Sequence, residues 1–398
     1  MTNISKDRPV YSPSSIEKMR AMIKPIIEEK IKPNAEMIDK TGQFPRENLL
    51  YLAREGWNSV TIPREWGGLD FGYVGLSVAA EEIGKVDAST GLVYAMHVGA
   101  VQAINIFGSQ SQKERWLPKV RGGYLGTLSI SEKATGGRHV WYNRSQAKDN
   151  GTEYIINAQK SFTTSGGQAD FYIVQTRTAG SRDPKEHSSF IVDGHKDGII
   201  AKPWKALGVR GNHSGPLTFE NVRVSYQDLL PADGLDVLNG TGVAIGLNAV
   251  WLGVAEGALD AAVAHTTRTI HRDFNKSLAD YGVIRQKLAE VKIRITGLRA
   301  WQFDLARRLD ELRALNESSL SLASEIKEQK VQATELADFA ARVAMDVAGG
   351  FGYIEGTFER IYRDARGGIP MAPSNNIARE QIGKELLGLP LELWEEGK

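Results

Sequence analysis

The hydrophobic period of this chain changes twice, and that double change limits the folds open to it. Up to about residue 121, apolar residues recur at three- and four-residue steps, as in Met19, Met22, Ile23, Ile26, Ile27 and Ile31. That spacing puts one apolar stripe on a helix. Ser14-Ser15-Ile16-Glu17 reads as a helix start with an acidic first turn. Further helical stretches cover Glu47–Arg54, Phe71–Val86 and Gly91–Phe107, with Pro63 and Gly67-Gly68 marking a loop. From 122 to 232 the period falls to two. Short runs rich in β-branched and aromatic residues appear, such as Glu153–Asn157, Phe171–Val174, Ser189–Val192 and Leu217–Phe219, separated by Gly, Asn and Asp. Strands at that spacing predict a small antiparallel barrel or sandwich. From 233 to 398 helix returns. Ile284, Leu288, Val291, Ile295 and Leu298 form a bundle-packing stripe, and a second long helix is expected from Leu320 to Val347, ended by Gly349-Gly350. The expectation is an α+β multi-domain chain: an all-α domain (1–121), a β domain (122–232) and a helical bundle domain (233–398).

Composition excludes several classes. The 398 residues carry a net charge of +1, so no global field draws the chain to nucleic acid or to an anionic membrane. There is no run of eighteen consecutive apolar residues, so no membrane span is expected. No cysteine is present, which excludes disulfides, thiolate metal sites and cysteine nucleophiles. Seven scattered histidines argue against a catalytic metal site. The first residues lack the apolar core of a signal peptide, so a cytoplasmic location is the default expectation.

Six motifs then fall in order along the chain. They are Phe107-Gly108 with Gln112-Lys113 and Leu117-Pro118; Ser131-Glu132 with Gly136-Gly137; Lys160-Ser161-Phe162-Thr163-Thr164; Gly208-Val209-Arg210-Gly211 with Phe219-Glu220-Asn221-Val222; Gly349-Gly350-Phe351-Gly352-Tyr353; and Glu359-Arg360-Ile361-Tyr362-Arg363-Asp364. Together they resemble the acyl-CoA dehydrogenase family over nearly the whole chain. The resemblance implies N-terminal helices, a central β-barrel or sandwich and a C-terminal four-helix bundle. It also implies FAD between the β domain and the C-terminal helices, and a second subunit that helps hold it. The implied cofactor contacts are Ser129, Ile130, Ser131, Gly137, Phe162, Thr163, Thr164, Arg272, Phe274, Gly349, Gly350, Ser374 and Asn376. Thr164 matches the threonine near the flavin N5, and Phe162 replaces a tryptophan wall. Ser374 to Asn376 also read as a plain helix N-cap. Some phosphate contacts depart from the family: His271 stands for its arginine, with Arg272 adjacent, and Asp346 stands for its glutamine.

The family's catalytic segment reads Y-R-D-A-x-x-x-x-x-Y-E-G-T-S-Q. Counted from Asp364, the glutamate position is Ala372. The family's other sites fare no better: its channel arginine falls on Ala244 and its alternative glutamate on Val243. Glu355, in Tyr353-Ile354-Glu355-Gly356-Thr357, mimics the segment in the wrong register. Asp87 and His97 are the remaining candidates for a base, each with an ordinary structural alternative. Trp251 and Asn248 read as core and helix-packing residues, with pocket shaping as the alternative. A positioned base contributes about a hundred- to ten-thousand-fold to rate, so three readings follow. One is an FAD-dependent oxidoreductase on an acyl-CoA or other acyl thioester by a non-standard route, including flavin monooxygenase-like chemistry, with an electron-transferring flavoprotein or oxygen as acceptor. The second is a non-catalytic subunit in a heteromer with a catalytic sister chain. The third is a binding protein. A homodimer or homotetramer is implied by the family's bundle stripes.

Overall fold

The computed structural model describes residues 12–133, 143–183 and 186–390. The first block contains α1 (Pro13–Ile26), α2 (Ala35–Thr41), α3 (Arg46–Arg54), α4 (Gly72–Val86), α5 (Ala88–Phe107) and α6 (Gln110–Arg121). The N-cap of α1 lies two residues before Ser14. Ser12 fills it, accepting from the Ser15 N–H, and Pro13 occupies the first turn, where a missing N–H has no cost. Helix α6 opens with a reciprocal capping box between Ser109 and Gln112.

The β block holds β1 (Gly126–Ser129), β2 (Gln146–Asp149), β3 (Tyr154–Lys160), β4 (Phe171–Arg177), β5 (His187–Asp193), β6 (Ile199–Ala201), β7 (Leu217–Val224) and β8 (Leu229–Asp233). They form an eight-stranded sheet in the order β6-β7-β3-β2-β4-β5-β8, with β1 beside β4. The sheet is mixed where the sequence predicted antiparallel pairing: β1 and β2 each run parallel to β4. The β2–β3 hairpin lies within the β1-to-β4 connection and gives the length that a parallel crossover needs.

The last block contains α7 (Gly234–Gly240), α8 (Val243–Arg268), the short hairpin β9 (Ile270–His271) and β10 (Lys276–Ser277), α9 (Gly282–Ala314), α10 (Ala323–Ala348), α11 (Gly350–Tyr353), α12 (Thr357–Arg366) and α13 (Asn375–Leu386). The predicted α9 stripe faces inward: Val291, Ile295 and Leu298 are buried, and Ile284 and Leu288 pack against them. Helix α8 is central, packed most extensively on α4 and α10. The two helical blocks therefore share one hydrophobic core, in which Val74 and Leu76 of α4 meet Leu252 of α8 and Ala337 of α10. The sheet has its own core around Tyr172, Phe190 and Phe219. By length and composition α5 and the α7–α8 stretch are apolar enough to cross a membrane, but 83% of the eighteen-residue apolar window in each is buried inside the fold.

Candidate functional site

The loop between α12 and α13 is fastened from three sides. Gly208 of the β block lies so close to α12 that a Cβ there would sit 2.3 Å from the Arg363 carbonyl oxygen. The Val209 N–H donates to Asp364 Oδ1 at 2.6 Å. Arg363 reaches back to α2 and binds Asp39 through two N–H groups at 2.9 and 2.5 Å, a bidentate pairing. After α12, the chain passes over the Trp251 indole at Gly368, where a Cβ would be 2.9 Å from the ring.

Lys330 of α10 holds the loop from below. Its ammonium donates to the Met371 carbonyl (3.1 Å), the Pro373 carbonyl (2.8 Å) and Asn375 Oδ1 (2.6 Å). An ammonium has three N–H bonds, so all are used. Burial pushes the Lys330 pKa down to about 8. While protonated it has no lone pair to offer, which makes it a clamp on the loop rather than a proton acceptor. Asn375 completes the clamp by donating to Thr334 Oγ1 at 3.0 Å.

Between loop and bundle lies a cavity of about 50 Å³. Helix α8 contributes Ala244, Leu247, Asn248 and Trp251; α10 contributes Ile326, Lys327 and Lys330; the loop contributes Met371, Ala372 and Pro373. Among these described wall residues there is no Asp, Glu or His. Lys327 is tied to Glu385 at 2.6 Å. The wall can thus seat an apolar group but has no carboxylate to take a proton from it.

The carboxylates and the histidine named from sequence stand elsewhere. Asp87 is the N-cap of α5; it accepts from the Ser89 N–H at 3.1 Å and from Thr90 Oγ1 at 2.5 Å. Burial is the largest influence on its carboxyl and raises the pKa. His97 is buried, with Nδ1 accepting from the Gly126 N–H at 3.0 Å and Nε2 3.1 Å from the Asn58 carbonyl. That arrangement fixes the neutral tautomer with the proton on Nε2, and burial pushes its pKa down to about 4. Neither residue lines the Ala372 cavity. Glu355 is exposed and pairs with Lys40 at 3.5 Å.

The residues named for a cofactor divide into two groups. On the β block, Ser129 and Thr163 share a hydroxyl hydrogen bond at 3.0 Å, and Thr164 shares one with Ser214 at 2.8 Å. The Ile130 carbonyl accepts from buried Lys160 at 3.1 Å, and the Ser131 carbonyl accepts from the Ser161 N–H at 2.8 Å. Phe162 is 65% exposed beside them. Gly137 lies outside the described residues. On the helical block, Arg272 and Phe274 form the exposed turn of the β9–β10 hairpin. Gly349 and Gly350 are open, with nothing within 4 Å of a built Cβ. Ser374 takes the N-cap position of α13, yet its hydroxyl makes no capping hydrogen bond, and Asn376 is exposed. Asp346 pairs with Lys287 at 3.2 Å.

A flavin suits this donor set. A ring needs a flat wall and hydroxyl or backbone donors at its polar edge; Phe162 is an exposed aromatic face, and the Thr164–Ser214 pair retains unused hydrogen-bonding capacity. Arg272 is an exposed cation for a phosphate. Lys330 was not singled out from sequence. The available signal was helical phase: it falls on the buried face of α10, four residues after Ile326 and four before Thr334, where a lysine must have partners.

Comparison with known proteins agrees with this geometry. Profiles described as the N-terminal, middle and C-terminal domains of acyl-CoA dehydrogenase match residues 14–124, 127–222 and 241–387. The probable acyl-CoA dehydrogenase YngJ of Bacillus subtilis is 32% identical over 93% of this chain and 97% of its own length. The NADH-dependent acryloyl-CoA reductase of Anaerotignum propionicum is 29% identical over 97% of this chain and 99% of its own. Butyryl-CoA dehydrogenase from Megasphaera elsdenii superposes with a TM-score of 0.86 at 25% identity, covering 97% of this chain and all of that one. Carrying three matched domains in order, and a full-length relative above 30% identity, the chain belongs to the acyl-CoA dehydrogenase family of flavoprotein oxidoreductases.

Proposed function

We propose that this chain is an FAD-dependent oxidoreductase that acts on an acyl thioester without a carboxylate at position 372. The observation that carries the proposal is the cavity wall itself: Ala372 stands on it, and no described neighbour on that wall is an acid or a histidine. The chemistry supplied by a bound flavin is two-electron oxidation. The chain's part is to bind and orient. Phe162 gives an aromatic face, the hydroxyls of Thr164 and Ser374 give donors, and Arg272 gives charge for the pyrophosphate. Lys330 fixes the loop that walls the acyl group.

A second reading, a non-catalytic subunit beside a catalytic sister chain, is favoured by one observation. Asp346 places an exposed carboxylate where a pyrophosphate contact is expected, and two anions repel there. An absorbance spectrum separates the two. A chain that purifies yellow alone, and whose flavin bleaches anaerobically with an acyl-CoA, supports the enzyme. A chain that gains flavin only when co-expressed with a sister dehydrogenase supports the subunit. In the enzyme case, Ala372→Glu is expected to speed bleaching by butyryl-CoA about a hundredfold or more, the contribution of a positioned base. Equal rates in the two proteins would mean that a base already acts from elsewhere. An electron-transferring flavoprotein and oxygen are then compared as acceptors for the reduced protein.

A further inference from the structure

The three partners of Lys330 are all acceptors. Met371 and Pro373 belong to the loop that walls the Ala372 cavity, and each offers its carbonyl oxygen; Asn375, where that loop enters α13, offers Oδ1. A carbonyl cannot donate. The Asn375 amide is barred from turning over by Glu335. Asn375 Nδ2 donates to Glu335 Oε1 at 3.2 Å, and a flipped amide would set an oxygen against that carboxylate. The set therefore requires a full ammonium. A neutral amine has two N–H bonds and a lone pair, so one of the three oxygens would face that lone pair. The loop closes with a backbone hydrogen bond from the Asn375 N–H to the Ile369 carbonyl at 3.0 Å. Its tip, Ala372, is exposed, and Lys330 grips the residue on either side of it.

We propose that Lys330 is a proton-gated positioning residue for acyl binding: its ammonium holds the Met371–Pro373 wall against the cavity, and loss of its proton lets that wall move off and weakens the hold on the acyl group. This rests on the acyl-thioester reading of the same site.

The surroundings set the pH at which the gate works. Burial is the largest influence on Lys330 and brings it down to about 8; Glu335 on the same helix opposes this, and Arg379 of α13 adds to it. Arg379 and Glu335 are themselves paired at 2.6 Å. Lys327, one turn earlier on α10, is tied to Glu385 of α13. The loop from 367 to 374 carries no charged side chain, nor do the α8 wall residues Ala244, Leu247, Asn248 and Trp251. Asp364, just before the loop, changes charge below this window, up to about 7. Lys330 is thus an ammonium at neutral pH and an amine well before a free lysine, which titrates near 10.4. The closed wall is the neutral-pH state. Because the thioester prefers the protonated form, its affinity falls as pH rises through 8, by at most about tenfold for each unit.

The test uses the full-length, flavin-loaded protein and two readouts. In calorimetric titration with butyryl-CoA, wild-type affinity is expected to be level up to about pH 7.5 and to drop about tenfold by about pH 9.5. Lys330→Met is expected to bind weakly at every pH, and Lys330→Arg, whose guanidinium keeps its charge throughout, to show no alkaline drop. The second readout needs no thioester: pulsed hydrogen exchange of the peptide covering 367–376, with pulse lengths scaled to the intrinsic exchange rate at each pH. Protection of these amides is expected to be lost above pH 8 in wild type, to be low throughout in Lys330→Met and to be level in Lys330→Arg. Should Lys330→Met fail to fold, the Arg variant carries the test. Wild-type protection that stays level to pH 9.5, or an alkaline loss that the variants share, overturns the proposal. Loop exchange that follows the expected pattern while butyryl-CoA binds at no pH supports the gate and overturns the acyl-thioester reading beneath it.

Discussion

Asp364 is a carboxylate kept where its charge is expensive. It is 4% exposed and accepts a hydrogen bond from the Val209 N–H. Burial raises its pKa to about 7; Asp39 and Asp87 push the same way, while the Val209 N–H and Arg360 oppose them. In an unfolded chain the group titrates near 3.9. Below pH 4 both states are protonated and the fold bears no penalty. Between about pH 4 and 7 the unfolded chain ionises while the folded one holds its proton, so stability falls as pH rises, and the loss is complete above 7. A shift of this size corresponds to a few kcal/mol at most. Asp364→Asn removes the titration, so its melting temperature relative to wild type is expected to climb from pH 5 to about pH 7 and to level off above that. A flat difference over that range would show that Asp364 does not change charge there. Sequence showed the aspartate and its motif but not this environment, which depends on burial beneath a loop from the β block. The same limit explains the base. Position 372 was readable by counting from Asp364. The roles of Asp87 and His97 were not, because cap and core partnerships depend on contacts such as Gly126, far along the chain from His97.

At the scale of elements, α4 and α8 touch backbone to backbone. A Cβ on Gly253 would stand 2.1 Å from the Glu81 carbonyl oxygen, and one on Gly84 would stand 2.5 Å from the Val250 carbonyl oxygen. These atoms are main chain and cannot rotate away. Ordinarily alanine is the better helix residue by about 0.5–1 kcal/mol. Here the added methyl forces the helices apart, and overpacking of this kind costs about 1–3 kcal/mol or more. Gly253→Ala is therefore expected to lower stability in a denaturant titration, and to weaken acyl-CoA binding as Trp251 and Asn248 shift with α8. A variant as stable as wild type would mean that the helices have slack. The element types were legible because period is a local property; the α9 stripe and the long α10 came directly from it. Partnership was not. The apolar run that opens β4 marks a strand buried on both faces, yet says nothing of β1 lying parallel beside it. Nor does a helical stripe name its neighbour, so the single core shared by α4, α8 and α10 was hidden behind a division into three blocks.

For the whole molecule, the exposed large apolar residues gather in the last third of the chain. Phe274 is 69% exposed, Val283 63%, Ile293 66%, Phe351 69% and Tyr353 82%. A monomer that showed so many would risk non-specific association, whereas an oligomer buries them. The same region holds four of the thirteen residues proposed for the cofactor site, namely Arg272, Phe274, Gly349 and Gly350, all exposed in the single chain. A flavin slot must exclude water around much of the ring, and these residues give one side of a slot without the other. A second copy packing over them would cover the apolar surface and close the slot in one step. The expectation is a homodimer or homotetramer by light scattering, with flavin content tied to assembly by mass action. Val283→Lys combined with Ile293→Lys puts two charges on the exposed side of α9, where burial would leave them unpaired at a cost of several kcal/mol each. This double variant should elute as a smaller species and lose flavin on dilution, while its helical circular dichroism stays that of wild type. A small species that kept one flavin per chain through dilution would show the slot to be complete without a partner.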